Sequence, residues 1–200
     1  MNPDATSDRP EVPSTDSIRR QVAEIAGELM RGGSGAGAAA PAGPARPADA
    51  SGQTEMTLYL AMLADRLPVY VRTMTGLATQ VGQGGVEQNL APVGHATIEF
   101  YGQILAAKVS VFTRPDQLLQ LRRVLKSRDL GPHNAYVLVS AYLDKERALG
   151  RIAADVDCTA AAHLLIGACV NYAFTRMLLD EVTPVGAFVE QTVRGLRLSP

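Results

Sequence analysis

Residues 141–174 read AYLDKERALGRIAADVDCTAAAHLLIGACVNYAF and hold the ends of two helices and the corner between them. The first helix, His133 to Leu149, closes with Lys145 and Arg147 near its carbonyl end. Gly150 follows, the residue whose backbone freedom suits the turn past a helix C-terminus. Asp157 suits the N-cap of the second helix, Thr159 to Leu179, because a carboxylate there accepts a free backbone N–H of the first turn. From Ala160 to Phe174 that helix is apolar apart from His163 and Asn171. A helix apolar nearly all round belongs in a core or against another surface. At about 15 residues the run is short of the roughly 20 needed to cross a bilayer, so a buried helix of a soluble protein, without membrane contact, is expected.

Working outward, the same helical spacing recurs. Thr183-Pro184 starts a last helix that ends near Leu198, and Gly131-Pro132 opens the helix from His133. Pro115 opens a shorter one carrying Leu118, Leu119, Leu121, Val124 and Leu125. Val86 to Phe112 forms one long element, expected to be interrupted near Pro92 and Gly94. A turn at Gly82–Gly85 separates it from a helix over Thr54 to Thr73, bent by Pro68. Strand signals are absent: there is no Asn-Gly or Asp-Gly hairpin and no sustained period-2 alternation. The expectation is an all-α bundle of about six helices over residues 54–200.

Residues 1–53 differ in character. One amphipathic helix, residues 17–31, aligns Ile18, Val22, Ile25 and Leu29 on a single stripe. Alone it has no partner, so it must dock, associate with another chain or fray. Residues 32–53 read GGSGAGAAAPAGPARPADASGQ, with Gly, Ala and Pro at 17 of 22 positions. Without branched aliphatic or aromatic side chains this stretch cannot offset its ordering entropy, so a disordered N-terminal arm and linker are expected. Its Gly35–Ala40 string matches a G-x-G-x-x-A pattern but lacks the preceding strand that a dinucleotide loop requires.

Nineteen basic and 20 acidic side chains give a net charge of −1. Residues 1–53 carry 5 basic and 7 acidic groups, and residues 54–200 carry 14 and 13. Neither part has the excess positive charge with which a protein neutralises phosphates. The polar, acidic start lacks a signal-peptide pattern. Cys158 and Cys169 form no CxxC pair, which fits a reducing, cytoplasmic setting. No nucleophile–base arrangement appears, so no enzymatic activity and no cofactor are expected.

The segments Ala141–Asp157, Ala160–Cys169 with Ala173-Phe174, Gly85–Leu90 and Val111–Asp116 together resemble the C-terminal half of TetR-type transcriptional regulators. The resemblance covers roughly residues 54–200. It implies a helical domain that binds a small-molecule effector and forms a homodimer through its last two long helices. A repressor of this kind also carries a helix-turn-helix head, and residues 1–53 hold no recognisable recognition helix. DNA contact is therefore expected only if such a head exists outside the recognisable sequence.

Candidate residues follow from both readings. His95 and Glu99, one turn apart, are polar anchors for a hydrophobic or aromatic ligand, with Phe100, Ile104, Tyr136 and Tyr172 supplying apolar surface. The same pair would serve a metal-binding or enzymatic helical protein, although two ligands without a third are weak and no metal site is expected. For the dimer interface the candidates are Leu138, Tyr142, Leu165, Ala168 and Tyr172. A module that pairs without any ligand fits the same helices. The basic run Arg122, Arg123, Lys126 and Arg128 reads as a solvated helix face that could also meet an anion.

Overall fold

The computed structural model describes residues 15–32, 47–112, 115, 118–119, 122–123, 133–179 and 183–200. Among them are six α-helices and no strand: α1 (Thr15–Gly32), α2 (Pro47–Gly76), α3 (Val86–Phe112), α4 (His133–Ala148), α5 (Cys158–Leu178) and α6 (Val185–Gly195). The all-α bundle expected from the helical spacing is what the chain forms. Pro115, Leu118, Leu119, Arg122 and Arg123 are helical as expected, while Lys126 and Arg128 lie outside the described residues.

α3 runs through the middle, packed against α2, α5 and α6, and α4 closes over α5. Ile98, Ile104, Leu143, Leu165 and Ile166 fill the space between them. The expected break in α3 does not occur. Pro92 lies inside a continuous helix with its ring in solvent, so only its own backbone hydrogen bond is lost. Gly94 has a packing role instead: a Cβ there would come within 2.8 Å of Val189 Cγ1 on α6.

Two other boundaries move. α2 starts at Pro47 rather than near Thr54, because Pro47 fits the fixed φ of a first helical residue. α6 stops at Gly195, short of Leu198, and Arg197 takes a left-handed φ of 51°. Of the three fates open to the first helix, docking is the one observed: α1 packs on α2, and Val22 and Ile25 join the common core.

The α4–α5 corner follows the expected chemistry closely. Gly150 adopts φ +70°, and the Gly150 and Arg151 amides donate to the Arg147 and Glu146 carbonyls at 2.9 and 3.0 Å. This pair of bonds closes the helix in a Schellman turn. Asp157 then caps α5, its Oδ1 accepting the Ala160 N–H at 2.9 Å. The Ala153 amide donates to the Leu198 carbonyl at 3.0 Å, fastening the C-terminal stretch to the corner.

Candidate functional site

The centre of the bundle holds a group of phenols. On α2, Tyr59 and Tyr70 lie three turns apart on one face. Tyr70 stacks on Phe100 of α3 at 4.5 Å between ring centres, and Tyr101 meets both rings edge-on. The Tyr70 hydroxyl lies 3.4 Å from Thr97 Oγ1, a buried polar group on α3. Burial pushes the Tyr59 and Tyr70 hydroxyls up to about 12. Tyr101 is raised as well, first by burial and then by neighbouring Tyr70, Tyr136 and Tyr59. These groups stay neutral through the physiological range, as uncharged donors in apolar surroundings. Tyr59, Tyr70 and Thr97 were missing from the sequence-based set; the spacing of the two tyrosines by three helical turns was the available signal.

The six ligand candidates do not converge. His95 and Glu99 are exposed on α3. Glu99 lines an open groove of about 420 Å³ between α3 and α5 with Ile98, Gln103, Ala173, Arg176 and Met177, and none of the other five candidates borders it. Phe100 and Ile104 are in the core. Tyr136 is half-buried and stacks on His163 at 4.4 Å. Tyr172 stacks on Phe188 at 4.3 Å, and its hydroxyl donates to the Thr183 carbonyl. Among the described residues no three His, Cys, Asp or Glu side chains gather as a metal site.

The interface candidates divide by burial. Tyr142, Leu165 and Tyr172 are covered by their own chain, while Leu138 and Ala168 are half-buried. The side of α5 turned to solvent carries Ala160, Leu164, Gly167, Asn171, Phe174 and Leu178, alternating four and three residues apart. Leu164 is 64% exposed, Phe174 46% and Leu178 62%. No Asp, Glu, Lys or Arg occurs from Cys158 to Thr175. Composition could not tell which side of so apolar a helix faces outward, because packing against α3 and α4 sets its rotation. α5 is long and apolar enough to cross a membrane, yet nearly half of its most apolar stretch is buried against the bundle.

A second polar constellation ties the corner to the turn before α3. Glu146 is fully buried: its Oε1 accepts the Gly82 N–H at 2.9 Å, and its Oε2 lies 2.7 Å from Arg151 Nε as an ion pair without a well-aligned hydrogen bond. Arg151 also donates to the Gln83 carbonyl at 3.2 Å, and Asn89 Nδ2 donates to the Tyr142 hydroxyl at 3.0 Å. This is a structural clamp, and it uses residues from the two segments Gly85–Leu90 and Ala141–Asp157. Compared with known proteins, the chain matches no family model, no curated protein and no solved structure.

Proposed function

We propose that the chain is the pairing and sensing part of a TetR-like transcriptional regulator, a homodimer joined through the outward face of α5. The observation that carries this reading is the uncharged exposed stripe of Leu164, Phe174 and Leu178. Exposed apolar surface of this continuity marks an interaction face, and a twofold contact covers it with a copy of itself. Burying each of these half-exposed side chains contributes roughly 1–2 kcal/mol, so six across a dimer give roughly 6–12 kcal/mol. Association itself costs about 4–15 kcal/mol. The stripe alone is therefore marginal. α4 extends the face through Val137, which is 61% exposed beside the Tyr136–His163 stack. That addition is needed, because a helix about 31 Å long and about 10 Å across offers only roughly 300 Å², against roughly 800 Å² per partner in a stable complex.

Sensing is assigned to the open groove of about 420 Å³ between α3 and α5, where Glu99 stands among Ile98, Ala173 and Met177, a lining that suits a hydrophobic or aromatic effector carrying a polar group. Light scattering on the full chain tests the pairing: twice the monomer mass is expected, and a monomer at micromolar concentration overturns it. A thermal-shift screen with apolar compounds tests the sensing, since a ligand of the folded state must raise the midpoint.

A second reading, a helical dimerisation module without ligand, is favoured by the in-chain stacking partners that Phe100, Tyr136 and Tyr172 already have. It predicts a dimer whose midpoint no compound moves. A metal-binding or enzymatic role for His95 and Glu99 has only those two exposed side chains to rest on. A DNA-reading role is not carried over to residues 1–53, whose net charge is −2 from 5 basic and 7 acidic groups.

A further inference from the structure

Gly167 stands in the middle of α5, and glycine there costs about 0.8–1 kcal/mol of helix stability relative to alanine. Gly94 in α3 has an in-chain reason for its missing side chain, the approach of Val189. Gly167 has none: a Cβ would meet nothing within 4 Å, its φ is not in the left-handed range, and the residue is exposed. It lies on the outward stripe, one turn from Leu164 on one side and from Asn171 on the other.

Resting on the pairing reading, we infer that Gly167 is the point at which α5 crosses α5 of a second copy of this chain, antiparallel about a twofold axis. A twofold axis at Gly167 sets each residue opposite the one equally far beyond it in the second copy. Ala160 then faces Phe174, a small side chain against a large one. His163, exposed on α5 beside Leu164 of the stripe, faces Asn171, so that two polar side chains meet. His163 Nδ1 is 2.8 Å from the Thr159 carbonyl oxygen. Because a carbonyl can only accept, Nδ1 carries the proton and Nε2 of the neutral ring is an acceptor. The Asn171 side-chain amide of the second copy supplies the matching donor. With no Cβ at the crossing, the two backbones approach more closely than leucine-lined helices do. The shape match, the polar match and the otherwise uncompensated glycine all fall on one axis.

Five full-chain variants test this against wild type. Gly167→Cys should cross-link to its own copy under mild oxidation, whereas Leu178→Cys, far from the axis, should not. Gly167→Ala should weaken dimerisation about tenfold or more in sedimentation at graded concentrations while making the dissociated chain more resistant to heat. Open space around that position lets alanine fold. Asn171→Ala and His163→Ala should be non-additive in the same assay. A wild-type dimer that Gly167→Ala leaves intact and Gly167→Cys fails to cross-link overturns the axis and leaves the pairing standing. A wild-type monomer, including one that floats with phosphatidylcholine vesicles, overturns both.

Discussion

Glu146 and Arg151 show how much of this fold rests on one ion pair. A buried carboxylate that loses its partner is left with an uncompensated charge, at a cost of about 3–5 kcal/mol. Arg151→Ala is therefore expected to lower the unfolding free energy by about that amount in urea titrations. Adding Glu146→Gln to Arg151→Ala should restore part of the loss, since a neutral amide oxygen still accepts the Gly82 N–H. A double variant no more stable than Arg151→Ala alone would show that the arginine acts through its bonds to the turn carbonyls. The caps at Gly150 and Asp157 were legible from sequence because each acts within a few residues of itself. The Glu146–Gly82 bond spans 64 positions, and nothing local marks a glutamate in an ordinary charged helix end as buried.

Among the elements, α3 and α6 meet closely at Gly94. Gly94→Ala would drive a methyl to 2.8 Å from Val189 Cγ1 and 3.5 Å from Cys169 Sγ, so it should destabilise by about 1–3 kcal/mol in spite of alanine's better helix propensity. Gly94→Ala combined with Val189→Ala should recover stability if the clash is the cause, as read by thermal melting. α1 behaves differently because it leans chiefly on α2. Val22→Asp should detach α1 and raise its protease sensitivity while near-ultraviolet circular dichroism of the remaining bundle persists. Loss of the whole near-ultraviolet signal would mean that α1 is integral to the core. The helices were readable from three-and-four spacing, but the break expected near Pro92 and Gly94 was wrong, since α3 runs on through both. The start of α2 was not readable, since Pro47 sits in a tract whose composition looks unstructured, nor was the rotation of α5, which is fixed by neighbours far away in sequence.

For the molecule as a whole, the phenols set an alkaline limit. Unfolded tyrosine titrates near 10, whereas Tyr59 and Tyr70 are pushed up to about 12 in the fold. The folded state therefore favours the neutral form, and this contribution is complete below pH 10 and lost as the pH rises from 10 toward 12. Phenolate absorbance should appear late and together with loss of helix; titration of all six tyrosines near pH 10 with the helix intact would contradict the burial. The helical class was legible from spacing alone, but the convergence of tyrosines from different helices required the packing.

The Gly82 amide offers a clock. It belongs to an exposed turn, where amide protons ordinarily exchange with solvent within moments, yet it donates to the carboxylate of a buried side chain on a distant helix. Releasing that proton requires the clamp to open, which withdraws a fully buried glutamate from the core. In deuterated buffer Gly82 should exchange as slowly as the amides in the middle of α4, and its rate should report unfolding of the entire bundle from a position that looks, by exposure alone, the least protected.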